Sequence, residues 1–264
     1  MQIAPSQEVS HLVRHYLIYH PGSYKGPMRF FTDGSPGIII PKEDSALPYF
    51  PDGPGKMGEL LVYGIFDKYI DIPALDCSGM IIAVLQPYAL AVLTSLNASK
   101  LKNRIFHFSD LFPAYDAIKA MNNKAGNCNG IIAEFEDFLT QIQNKSILAD
   151  KIVSGCIDLI RLHHGNIRGK ELLRHLPTTE RQLQRRFHYE IGISPKQFSG
   201  ILRMTHFLKL LRSSGHDHSP TRCALHAGYY DQAHLNNHFR AMTGTTPLSY
   251  LSGADPLALN LFCH

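Results

Sequence analysis

Two stretches decide the fold: residues 179–198, TERQLQRRFHYEIGISPKQF, and residues 231–250, DQAHLNNHFRAMTGTTPLSY. Laid over one another, they repeat at an offset of 52 residues. Leu183, Phe187, Gly192, Pro195 and Phe198 are followed by Leu235, Phe239, Gly244, Pro247 and Tyr250, and the capping position Thr179 by Asp231. Each copy has an apolar i, i+4 pair for one helix face, a glycine that stops the helix and a proline that opens the next segment. So many matches at one offset mark two copies of one supersecondary unit. Each unit reads as helix, tight turn, helix. In the second, the helices are Pro220 to Ala227 and the segment capped by Asp231, with Gly228-Tyr229-Tyr230 as the turn. Gly228 stands where a left-handed residue is needed to leave a helix. In the first, a short helix from Lys170 to Leu176 is stopped by Pro177, and Thr178 or Thr179 caps a second one ending near Gly192. A longer helix follows from Pro195 to about Leu211. Two short helices joined by a turn of about three or four residues make a helix-turn-helix, whose second helix enters the DNA major groove.

Working outward, the preceding segment is one amphipathic helix carrying Ile152, Cys156, Ile157, Leu159 and Ile160, and Ser219-Pro220 is a cap and first-turn pair for the last unit. Asn144-Lys145-Ser146 reads as the linker, which divides the chain into residues 1–145 and 146–264, with units at about 167–192 and 219–244. Upstream, the first 110 or so residues read as short strands: His15 to His20, Gly37 to Ile40, Leu60 to Phe66 and Met80 to Leu85. Gly/Pro turns such as Asp33-Gly34 and Pro51-Asp52-Gly53-Pro54-Gly55 separate them, as in a small barrel or sandwich. Ile131, Ile132, Phe135, Phe138, Leu139 and Ile142 share one helical face. That helix either covers the barrel or pairs with its copy in a dimer. The expected class is α+β: a β-rich, barrel-like domain, then an all-α domain of two helix-turn-helix units joined by a linker helix.

The whole chain has 264 residues and a net charge of +4. Divided at the linker, residues 1–145 carry 12 Lys+Arg against 14 Asp+Glu, and residues 146–264 carry 14 against 8. The net charges are therefore −2 and +6. Ten of the thirteen arginines lie in the second part. A basic half beside an acidic one points to a polyanion partner for one domain; chance variation of surface charge is the alternative. Apolar residues at 44% and charged residues at 18% exclude a disordered or fibrous chain. No apolar run approaches the roughly 20 residues of a membrane span, and Met1 to Pro5 lack the pattern of a secretory signal. Cys77, Cys128, Cys156, Cys223 and Cys263 have no CxxC spacing, which fits a reducing cytoplasm and no structural zinc.

Residues 150–251 resemble the AraC/XylS family of bacterial transcription regulators. The resemblance rests on RQLQRRF at 181–187, GISPKQF at 192–198 and above all AGYYDQAHLNNHFRAMTGTTPLSY at 227–250. It implies two helix-turn-helix subdomains whose recognition helices enter successive major grooves on one DNA face. Leu173, Pro177 and Phe207 depart from the family pattern, all at packing positions. The first part is similar, more loosely, to the sensor domains that accompany this module, which implies a small-molecule effector or a homodimer there. No residue identifies an effector. RNA polymerase is a partner if the protein activates.

With Leu183 and Phe187 turned inward, the first recognition helix presents Arg181, Gln184 and Arg185. Arg can bridge guanine O6 and N7, and Gln adenine N6 and N7; a solvated helix face would carry the same residues. On the second helix, Gln232, Ala233, His234 and Asn237 face out. Arg186, Lys196, Arg203, Arg222 and Arg240 are candidates for phosphate. An acidic neighbour is an alternative for Arg186, and packing on an internal carboxylate one for Arg203. No Cys or acidic residue joins the loop pairs His163/His164 and His216/His218 at ligand spacing, and His234/His238 lie on the DNA-facing helix, so no metal and no cofactor are expected. The reading is a DNA-binding regulator rather than an enzyme, at the nucleoid in the cytoplasm and not at a membrane. Two rivals remain: a DNA-targeted enzyme, which would need a reactive cysteine and for which Cys77 is the only candidate in the β region, and a degenerate module that binds protein partners.

Overall fold

The computed structural model describes residues 1–19, 28–42, 59–72, 79–112, 127–142, 149–213, 220–253 and 261–263. The Asn144 to Ser146 linker, Cys77, His216, His218 and the Ser219 cap lie outside the described residues.

Alternating apolar segments build a sheet buried on both faces. Strands β1 (Gln2–Ile3), β2 (Val13–Tyr19), β4 (Gly37–Pro41), β5 (Leu61–Tyr63), β7 (Met80–Leu85) and β8 (Ile105–His107) form one antiparallel sheet, in the order β1-β2-β7-β4-β5-β8. Side chains on successive strand residues point to opposite faces. Tyr16 and Ile18 of β2 therefore enter one core, while Leu17 and Tyr19 enter another. The first core is closed by helix α3 (Cys128–Ile142), whose Phe135 meets Tyr16 edge-on at 6.4 Å and whose Phe138 meets Phe108 at 5.6 Å. Of the two uses open to this amphipathic helix, the fold takes the first: its apolar face is buried in its own chain, so a dimer would need another surface. The second core faces β3 (Met28–Phe30) and β6 (Ile70–Ile72), which pair with each other in a separate three-stranded sheet.

Helices α1 (Ala89–Thr94) and α2 (Phe108–Leu111) and a 3-10 turn (Ala98–Lys100) complete this part. The rest is helical: α4 (Lys151–Leu162), α5 (Gly169–His175), α6 (Glu180–Ile191), α7 (Pro195–Ser213), α8 (Pro220–His226), α9 (Gln232–Thr243) and α10 (Pro247–Gly253). An exception closes the chain. Leu261–Cys263 forms β9, which pairs antiparallel with β3 and adds the third strand to the smaller sheet. Nothing in the local pattern signals it.

The repeat is structural as well as sequential. Thr179 caps α6 by accepting from the Gln182 amide, and Asp231 caps α9 by accepting from the His234 amide. Each helix ends on a left-handed glycine, Gly192 at φ 87° and Gly244 at φ 70°. Leu183/Leu235, Phe187/Phe239 and Phe198/Tyr250 are all buried. Gly228 has φ 84° in the second turn. Phe207 of the linker helix is fully buried, with its ring against Tyr229 and Phe239, so its bulk fills the core of the second unit.

The two parts pack on each other at corresponding points. A Cβ on Gly192 would stand 2.8 Å from the Ala98 carbonyl oxygen, and one on Gly244 would overlap the Arg29 and Tyr69 side chains. Arg29, held by Asp71, also donates to the Thr243 carbonyl at the end of α9 at 3.3 Å. Phe31 and Ile65 join the helical core, Phe31 meeting Tyr250 at 6.1 Å. Arg161 on α4 donates to the Gln86 side chain at 3.1 Å. The sheet-rich part thus grips the C-terminal end of each repeated helix. Among the described residues no helix is long and apolar enough to cross a membrane.

Candidate nucleic-acid interface

The burial of one helix face exposes the other. On α6, Leu183, Phe187 and Ile191 are buried, and Arg181, Gln184 and Arg185 are exposed. On α9, Leu235, Phe239 and Met242 are buried, and Gln232, Ala233, His234, Asn237 and Arg240 are exposed. Because the sheet-rich part grips both helices at their C-terminal glycines, their N-terminal turns lie at the far ends from it. The equivalent positions of the repeat, Thr179 and Asp231, begin both exposed faces.

The five candidates for phosphate sort differently. Lys196 is exposed in the first turn of α7, and Arg222 is exposed on α8. Arg186 bonds to Asp150 at 2.6 Å, so the acidic-neighbour reading describes it. Asp150 in turn caps α4 by accepting from the Ile152 amide at 2.7 Å. Glu190, one helical turn beyond Arg186, accepts from the Asp150 amide at 3.0 Å. Burial pushes its carboxyl up to about 7; the amide bond and Arg186 oppose the rise, and the Asp150 charge adds to it. Among the described residues Arg203 meets no carboxylate: it donates to the Gly165 carbonyl at 2.9 Å, and its buried Nε has no hydrogen-bond partner there.

Gln184, Lys196, Arg203 and His234 line one cleft of about 840 Å³ between the two units. Gln184 also donates to Glu180 at 3.3 Å, which fixes it one turn from the N-terminus of α6. The sequence reading missed Arg168 and His238, which line the same cleft. Arg168 sits just before α5, outside the 52-residue repeat, and carries no pattern of its own. His238 was legible only as half of an i, i+4 pair. Its Nδ1 lies 2.8 Å from the Tyr229 hydroxyl, and burial, then the Arg203 and His234 charges, lower its pKa to about 4. It is therefore neutral at neutral pH, and unlike His234 it belongs to the packing. His164 stacks on His206 at 4.2 Å. Among the described residues, no three His, Cys, Asp or Glu side chains gather as metal ligands.

Two capped helices with buried inner faces and exposed polar outer faces, each preceded by a short helix and a tight turn, define a double helix-turn-helix domain. Residues 172–253, which hold both capped helices, match the family model described as a helix-turn-helix domain. Residues 1–107 match the model described as a domain of unknown function (DUF6597). No curated protein matches the chain. Solved structures similar to it include ToxT from Vibrio cholerae strain SCE256 with a bound unsaturated fatty acid, at 12% identity over 91% of this chain and 93% of that one, with a TM-score of 0.48. A 1.65 Å structure of ToxT from Vibrio cholerae matches at 12% identity over 95% and 96%, with a TM-score of 0.45.

Proposed function

We propose that the protein is a sequence-specific transcription regulator that places α6 and α9 in successive major grooves of duplex DNA. The observation that carries this is the structural repeat: two helices with the same cap, the same buried pair and the same terminal glycine, held at corresponding ends by one body. Arg181, Gln184 and Arg185 read bases in the first groove, and Gln232, Ala233, His234 and Asn237 face the second. Lys196, Arg203, Arg222 and Arg240 bind phosphate. Arg186 positions α6 on α4 through Asp150. The +6 half gives affinity that falls steeply with salt, because each phosphate neutralised releases counterions.

The sheet-rich half is the place of control, by a small-molecule effector or a homodimer contact, and the protein acts in the cytoplasm without catalysis. Phe31 and Ile65 inside the helical core give such control a physical route to the DNA-binding units. Selection of bound duplexes from random DNA by the full chain tests the reading. It predicts an enriched motif with two half-sites; retention of DNA with no enrichment would refute sequence-specific regulation.

A further inference from the structure

The cleft between the two units has a composition that DNA binding alone does not need. Its floor is apolar: Ile167, Leu172 and Leu183 are buried, and Leu173 adds its side chain from α5. Its cations are Arg168, Lys196 and Arg203, against one carboxylate, Glu180. A volume of about 840 Å³ falls in the upper part of the range for small-molecule sites, roughly 300 to 1,000 Å³. A duplex backbone offers charge but no apolar body to cover leucines.

We propose that this cleft binds an amphipathic organic anion, and that its occupancy excludes DNA. The acid group pairs with Lys196 and the guanidinium of Arg203, which has one hydrogen-bond acceptor, Gly165, among the described residues. The apolar body covers Leu172, Leu173 and Leu183. Charge complementarity selects the anion, and burial of apolar area supplies affinity. Gln184 and His234 also line the cleft, so a ligand seated there competes for side chains that the proposed function assigns to DNA; that competition rests on the proposed reading, whereas the binding does not. Such a site would add a second point of control, inside the DNA-binding half itself, to the one proposed for the sheet-rich half.

The test uses the full chain with 2-naphthoate as probe and its neutral carboxamide as control, by calorimetry without DNA. The expected result is binding of 2-naphthoate at least tenfold tighter than of the carboxamide. Leu173→Trp, which fills the cleft from a half-exposed position, should weaken it at least tenfold at unchanged melting temperature. Lys196→Glu should also weaken it while leaving the carboxamide unaffected. Equal binding to the wild type and to both variants would put the ligand elsewhere and overturn the proposal, as would no heat at millimolar probe. In a second arm, saturating 2-naphthoate should displace wild-type protein from its selected duplex. Binding in calorimetry without displacement would overturn the exclusion. Failure of the unliganded chain to hold any duplex would instead overturn the regulator reading, and the calorimetric arm would still decide the site.

Discussion

Arg185 and Arg186 are neighbours in sequence and do different work. Arg185 is exposed on the outer face of α6, while Arg186 is committed to Asp150. Arg185→Ala should cost about 1–3 kcal/mol on the selected duplex and less on random DNA, as base readout does; titrations on both duplexes check this, and equal losses would make Arg185 a phosphate contact. Arg186→Ala should lower the melting temperature and leave the slope of log affinity against log salt unchanged, because no counterions are displaced at a residue held by a carboxylate. His238 gives a pH prediction. Its folded pKa of about 4 lies below the ordinary 6.5, so the unfolded chain takes up its proton first as pH falls. This site's contribution is complete above pH 6.5 and is lost between about 6.5 and 4. Chemical denaturation across that window should show a decline that His238→Gln removes.

At the scale of elements, the two terminal glycines differ in what surrounds them. An alanine at Gly192 meets a backbone oxygen, which yields only if the 3-10 turn shifts. An alanine at Gly244 meets the side chains of Arg29 and Tyr69, which can swing away. Both pay the strain of a positive φ, of order 1 kcal/mol. Gly192→Ala should therefore lower the melting temperature further than Gly244→Ala, as calorimetric melting checks. The repeated helices were legible because their signals are local: Thr179 and Asp231 as caps, Leu and Phe at i, i+4, a stopping glycine, all at one spacing. The amphipathic face of α3 was equally plain, and only its partner, the sheet face at Tyr16, was left open. The Arg186–Asp150 pair, the Arg29 bond to Thr243 and the pairing of β9 with β3 were not legible, because each joins segments far apart in sequence by a geometry that no periodicity encodes. Arg168 escaped for the opposite reason: it is one polar residue on a loop, and only the fold brings it beside Lys196 and Arg203.

The whole molecule is organised around one constraint. The sheet-rich half, net −2, holds the ends of both repeated helices, while the half with net +6 leaves their N-terminal turns exposed. Arg29→Ala removes the grip on α9 while leaving Gly192 seated on Ala98. It should weaken binding to the two-half-site duplex more than to a duplex with only the first half-site, as competition titrations with the two duplexes check. Hydroxyl-radical footprinting of the full chain on its selected duplex tests the central claim most directly. Two protected patches on one face of the DNA, one helical turn of about 10 base pairs apart, are the predicted result. A single protected patch, or two patches on opposite faces, would contradict the placement of α6 and α9 in successive major grooves.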